Sequence, residues 1–84
     1  MGEFDPKKDT VNQWQHGISL DRWTDLAVAR TVIDDRFDYG EVRYRSYGWI
    51  AGKSYCFVFT IRNGAYRPIS LRRVHAKEMR KYVS

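Results

Sequence analysis

The spacing of apolar residues changes period along the chain, and each change marks an expected element. Asp5 before Pro6 places a capping carboxylate ahead of a proline at the first helical position, where a missing N–H costs nothing. Val11, Trp14 and Ile18 continue as an apolar stripe, while Lys8, Asn12 and either Gln15 or His16 line another face. Gly17 can supply the left-handed turn that ends this helix. Ser19 then caps a second expected helix, with Leu20, Trp23 and Leu26 or Ala27 at helical spacing and Asp21 near the positive end of the dipole. Trp14 and Trp23 read as core packing rather than as base-stacking platforms.

After Arg30 the period drops to two. Thr31-Val32-Ile33 reads as a short strand, followed by a polar bend through Asp34-Asp35 and Asp38-Tyr39-Gly40. Val42, Tyr44 and Ser46 alternate with Arg43, Arg45 and Tyr47, which gives a strand with one cationic face. A turn is expected from Gly48 to Gly52, and a central strand from Ser54 to Arg62. Asn63-Gly64 is the strongest hairpin signal, because both positions of a tight primed turn need positive φ. Pro68 cannot donate to a ladder, so the returning strand is an edge or carries a bulge.

A two-residue turn would pair Arg62 with Ala65, Thr60 with Arg67, Val58 with Ile69 and Cys56 with Leu71. That strict register puts Arg62 and Arg72 on different faces, whereas a bulge at Pro68 would bring them together. From Arg73 onward the period is helical again: Ala76, Met79 and Val83 form the expected buried stripe, and His75, Glu78 and Tyr82 share a neighbouring one. The pattern predicts one α+β domain over residues 1–84, with two N-terminal helices and a C-terminal helix packed on a mainly antiparallel twisted sheet.

Charge sharpens this picture. The 84 residues carry a net charge of +5, and residues 41–84 hold ten Lys and Arg against only two acidic residues, Glu41 and Glu78. Such asymmetry favours an anionic partner, nucleic acid ahead of an acidic protein segment, with a membrane surface well behind. Apolar residues make up 43% of the chain, enough for a real core and too many for a disordered segment. Cys56 is the single cysteine and lies in the apolar run Cys-Phe-Val-Phe, so it reads as a buried thiol with no internal disulfide. No leader or membrane-spanning run is evident, and the expected location is cytoplasmic.

The region from Thr60 to Tyr82 concentrates five arginines, His75, Glu78 and two tyrosines. Metal-free RNA cleavage needs a base for the 2′-hydroxyl proton, cations for the phosphorane and an acid for the leaving 5′-oxygen. Arg62 and Arg72 suit the middle role, since a planar guanidinium holds two phosphate oxygens and stays charged. Arg43, Arg67, Arg73 and Lys8 would grip flanking phosphates. Glu78 is a candidate base or orienting group, or else the partner of an ion pair with Lys81 or Arg73. Tyr82 reads as an edge-packing or base-stacking group more readily than as an acid. His16 is the leading acid–base candidate by its pKa, or a helix-end cap; His75 ranks below it. Two histidines and one cysteine, far apart in sequence, lack metal-ligand spacing, and no cofactor is expected.

Several islands of the chain, taken in order, resemble one family. Phe4-Asp-Pro-x-Lys8, Asn12 and His16-Gly17-Ile18 look like the opening of the BrnT toxins. Gly40-Glu41-x-Arg43 and the Gly48 turn fit that family's central hairpin, and Thr60-x-Arg62, Ile69-Ser70-x-Arg72-Arg73, Glu78 and Tyr82 fit its ending. Departures are Gln15 where lysine is usual, Pro68 in an aliphatic position and Val74 where alanine is common. The resemblance implies a RelE-like fold and the toxin of a type II toxin–antitoxin pair. Its activity would be metal-independent RNA cleavage that arrests translation. The implied partners are RNA and a ribbon-helix-helix antitoxin, with promoter DNA bound only through the toxin–antitoxin complex and no membrane. The residues alone also allow a non-catalytic nucleic-acid-binding module or a protein-interaction domain for an acidic partner.

Overall fold

The computed structural model describes residues 16–83. The first expected helix, with Lys8 and Trp14, lies outside the described residues. Gly17, after it, has the expected left-handed backbone (φ +69°). The second expected helix is not α-helical. Leu20–Asp25 form a six-residue 3₁₀ helix, capped by Ser19, whose hydroxyl accepts the N–H of Asp21 at 3.2 Å. The physical reason lies in the spacing: Leu20, Trp23 and Leu26 recur every three residues, which aligns them on a three-residue turn. Leu26 is already extended (φ −71°, ψ 120°), and the β-branched residues that follow carry the chain into a strand.

Four strands follow: β1 (Ala27–Asp34), β2 (Arg43–Ile50), β3 (Lys53–Arg62) and β4 (Ala65–Arg73). They form an antiparallel meander in the order β1-β2-β3-β4. A C-terminal helix, α1 (Ala76–Tyr82), closes the fold. No helix among the described residues is long and apolar enough to cross a membrane.

β1 is longer than the expected Thr31–Ile33 segment, and β2 runs on through Gly48 to Ile50. The broad turn expected from Gly48 to Gly52 is therefore a two-residue turn at Ala51-Gly52, both with positive φ. Gly48 serves a different purpose. A Cβ there would collide with the carbonyl of Ala27, so glycine lets β1 close on β2 beside an irregularity between Val28 and Arg30. Asn63-Gly64 forms the expected tight turn, with φ of 51° and 78°.

Beyond that turn the register holds as expected for Arg62–Ala65 and Thr60–Arg67, then shifts. Pro68 lies opposite Phe59 and Ser70 opposite Val58, leaving Ile69 as the extra residue of a β-bulge. The expected pairs Val58–Ile69 and Cys56–Leu71 are replaced by Val58–Ser70 and Cys56–Arg72. One inserted residue swaps every side chain after it to the other face.

Each face of the sheet has its own core. Leu20, Ile50, Tyr55, Phe57, Phe59 and Leu71 pack beneath the 3₁₀ helix, with Trp23 stacked on Phe57 at 5.2 Å as a core residue. On the other face Tyr47, Cys56, Val58, Val74 and Met79 pack together, joined by Tyr82 and Val83. Met79 and Val83 of the expected stripe thus pack inward, joined by Tyr82, whereas Ala76 is exposed. That correction follows from β4 persisting to Arg73, which delays the helix and rotates its inward face. Cys56 is fully buried, and burial pushes its thiol pKa up.

Candidate active site in a cationic cleft

The α1 face of the sheet reads across strands as Arg43, Arg45 and Tyr47 on β2, Cys56 to Arg62 in alternation on β3, and Arg67, Ser70 and Arg72 on β4. The bulge places Arg72 here, so Arg62 and Arg72 share one face. They do not share one place. Arg72 pairs with Cys56, six positions along β3 from Arg62, a separation of roughly 20 Å. Arg62 stands at the hairpin end, 54% exposed, with Nη2 donating to Glu41 Oε1 at 2.6 Å.

Arg72 lies at the floor of an open cleft of about 500 Å³ against α1, lined by Arg36, Arg45, His75, Lys77, Glu78, Lys81 and Tyr82 as well. Its guanidinium grips Glu78 in bidentate fashion, with Nη2 to Oε2 at 2.8 Å and Nη1 to Oε1 at 3.2 Å. The Tyr47 hydroxyl donates to the same Oε2 at 3.0 Å. Glu78 therefore pairs neither with Lys81 nor with Arg73. The Arg72 hydrogen bonds hold its carboxyl below the usual range, outweighing burial. A carboxylate so fully engaged is a weak proton acceptor and a firm anchor for a guanidinium.

Arg45 continues the network from the sheet side. Nη1 donates to the Tyr47 hydroxyl at 2.9 Å and to the Tyr82 hydroxyl at 3.4 Å. Tyr82 stacks flat on Tyr47 (4.7 Å between ring centres), and its carbonyl accepts from Arg30 at 3.2 Å. The Arg45 hydrogen bond lowers the Tyr82 phenol pKa, whereas burial first of all raises that of Tyr47. Asp34 is claimed by Arg36, through Nε at 2.7 Å and Nη2 at 2.9 Å, and by the Tyr39 hydroxyl at 3.1 Å. Those bonds hold the Asp34 carboxyl down at about 2.

Of the residues singled out by sequence, the cleft unites Arg72, Glu78 and Tyr82 and leaves Arg62 apart. His16 is not among the lining residues, yet it lies within electrostatic reach of Arg72; burial and then that charge lower its pKa. His75, ranked second by sequence, lines the cleft as the N-cap residue of α1. Arg43 lies over the Tyr39 ring at 4.0 Å, and Arg67 pairs with Thr60 across the hairpin. Arg73 faces the opposite side, donating to the Ser54 carbonyl at 3.2 Å beside Tyr55. Lys8 lies outside the described residues.

Sequence reasoning passed over Arg36, Arg45 and Tyr47. The signal for Arg45 and Tyr47 was present in the β2 alternation, which set both on the cationic face. Among the described residues, no group of three His, Cys, Asp or Glu side chains could hold a metal ion.

A four-stranded antiparallel sheet with a C-terminal helix beside a cation-lined cleft marks a small α+β protein. Residues 4–78 match the family model described as the ribonuclease toxin BrnT of type II toxin–antitoxin systems, and the chain belongs to that family. Membership implies an RNA substrate and an antitoxin partner. No curated protein and no solved structure matches.

Proposed function

We propose that the protein is a cytoplasmic, metal-independent endoribonuclease that arrests translation and cleaves RNA at the Arg72 cleft. The observation that carries this reading is the bidentate Arg72–Glu78 pair within a cleft whose other walls are cationic. In the reaction the 2′-hydroxyl attacks the adjacent phosphorus, the P–O5′ bond breaks, and the products are a 2′,3′-cyclic phosphate and a 5′-hydroxyl. Arg72 stabilises the extra negative charge on the phosphorane, a task that requires a fixed, permanently charged donor. Glu78 orients Arg72 rather than accepting the 2′-hydroxyl proton. Tyr82, its phenol made more acidic by Arg45, protonates the leaving oxygen.

Two imidazoles are candidates for the base. His75 lines the cleft, and His16 lies outside its lining with its pKa lowered by burial and then by the charge of Arg72. Arg43, Arg62 and Arg67 hold the RNA strand outside the cleft, and Lys8 is a further RNA-gripping residue. The fold is of the RelE type, and the partner is a ribbon-helix-helix antitoxin that carries the complex to its own promoter DNA. Support for both comes from the family match alone.

The test is induced expression with and without the neighbouring small reading frame, followed by incubation of purified protein with labelled RNA in EDTA. Growth arrest rescued by co-expression, and cyclic-phosphate products absent with Arg72→Ala, are the expected results. RNA bound but left intact by the unaltered protein would instead identify a non-catalytic binding module.

A further inference from the structure

We propose that Arg45 is a second phosphate-contacting catalytic residue of the cleft, its guanidinium bordering the same space as that of Arg72. This rests on the cleavage reading above and deepens it, since the sequence pattern gave that second role to Arg62.

Three observations support it. Arg45 is only 5% exposed, and among the described residues its Nε has no hydrogen-bond partner, although a buried guanidinium without full pairing is a costly arrangement. The nearest carboxylate is Asp34, 3.6 Å from Nε, and both Asp34 oxygens are already taken by Arg36, with Tyr39 on one of them. Arg45 is also joined to Arg72 through only two groups, Tyr47 and Glu78, so the two guanidinia border the same space. Around that space Arg36, Arg45, Arg72, Lys77 and Lys81 face two carboxylates, Asp34 and Glu78, an excess of three positive charges. A phosphorane between Arg45 and Arg72 would meet a guanidinium donor on each side.

A residue retained for structure and one retained for an anion respond oppositely to removal. Arg45→Met replaces a partly paired buried cation with an apolar chain of similar length. It should melt within a few degrees of the wild-type temperature, because loss of the bonds to Tyr47 and Tyr82 is offset by removal of an incompletely paired buried cation. Its single-turnover cleavage in EDTA should fall about 100-fold, the usual loss for one transition-state donor. Arg45→Lys keeps the charge without the fork and should still cleave at least tenfold more slowly than wild type. Binding to a short, fully 2′-O-methylated RNA, which cannot be cleaved, reads the ground state: Arg45→Met should weaken it and flatten its salt dependence by about one counterion.

An Arg45→Met protein that melts well below wild type overturns the proposal, as does wild-type cleavage by either variant. Should the unaltered protein fail to cleave in EDTA, the parent reading falls. The melting temperature and the methylated-RNA affinity then still decide whether Arg45 is kept for phosphate.

Discussion

Tyr47→Phe isolates the hydrogen bonds that lock the cleft, because it removes one oxygen and keeps the ring. Tyr47 is fully buried, and its hydroxyl both donates to Glu78 at 3.0 Å and accepts from Arg45 at 2.9 Å. The stacking on Tyr82 survives in phenylalanine, so packing changes little. Each lost bond involves a charged partner, for which the ordinary range is about 1.5–3 kcal/mol. Glu78 keeps both bonds to Arg72 and Arg45 keeps its contact with Tyr82, and the open cleft admits water. A net loss of about 2 kcal/mol follows, which for a chain of this size lowers Tm by roughly 10 °C. Thermal unfolding followed by circular dichroism at pH 7 measures it. A double-mutant cycle with Glu78→Gln should show coupling of about 1 kcal/mol, because the two groups share a bond. Cleavage should slow in parallel, since Arg72 loses part of its anchorage. A Tyr47→Phe protein that melts within a degree or two of wild type and cleaves at the same rate would refute the idea that this network sets the site.

Gly48→Ala should cost about 3 kcal/mol in a urea titration, because the new methyl group meets the Ala27 backbone, which cannot swing aside as a side chain would. Asp34 has its carboxyl depressed from the usual 3.8 to about 2, so its contribution is complete above pH 4 and lost as pH falls toward 2. Stability should therefore drop by about 2 kcal/mol over that interval, and Asp34→Asn should abolish this part of the acid limb. Arg62→Ala should change stability by less than about 1 kcal/mol, as its pair with Glu41 is exposed, and should leave single-turnover cleavage intact while RNA binding weakens modestly with salt.

The parts of this fold legible in the sequence are those governed by neighbours along the chain. Asn63-Gly64 dictates its turn through backbone sterics alone, and the alternation from Ser54 to Arg62 sets out the two faces of β3 without reference to anything distant. Leu20, Trp23 and Leu26 were legible as apolar but not as 3₁₀, because three-residue and four-residue spacing differ by a single position over so short a stretch. The Pro68 signal announced an irregularity without saying where the extra residue would fall. Only pairing with β3 settles that Ile69 is the one left over. Arg62 was favoured over Arg45 for the site because the sequence shows how far apart residues are along the chain, not how far apart two ends of a hairpin are in space. Glu78 was legible as the lone acid of a basic segment. Its partner was not, since Arg72 reaches it from another element.

The bulge in β4 also makes the protein sensitive to length in a way that its composition does not reveal. Leu71 fills the core under the 3₁₀ helix, and its neighbour Arg72 enters the cleft, because two residues between Arg67 and Ser70, Pro68 and Ile69, stand against one, Phe59, on β3. Parity is thus an inherited quantity here. Deleting Ile69 alone would straighten the strand and keep Leu71 opposite Phe57 and Arg72 opposite Cys56, whereas deleting Pro68 as well would exchange their destinations, setting a guanidinium in an apolar core and a leucine in the cleft. Removing one residue while adding another between Pro68 and Ser70 would preserve both. In a scan of deletions, loss of one residue from Pro68–Ile69 should be tolerated and loss of both should not, because only the second turns Leu71 and Arg72 to the wrong faces.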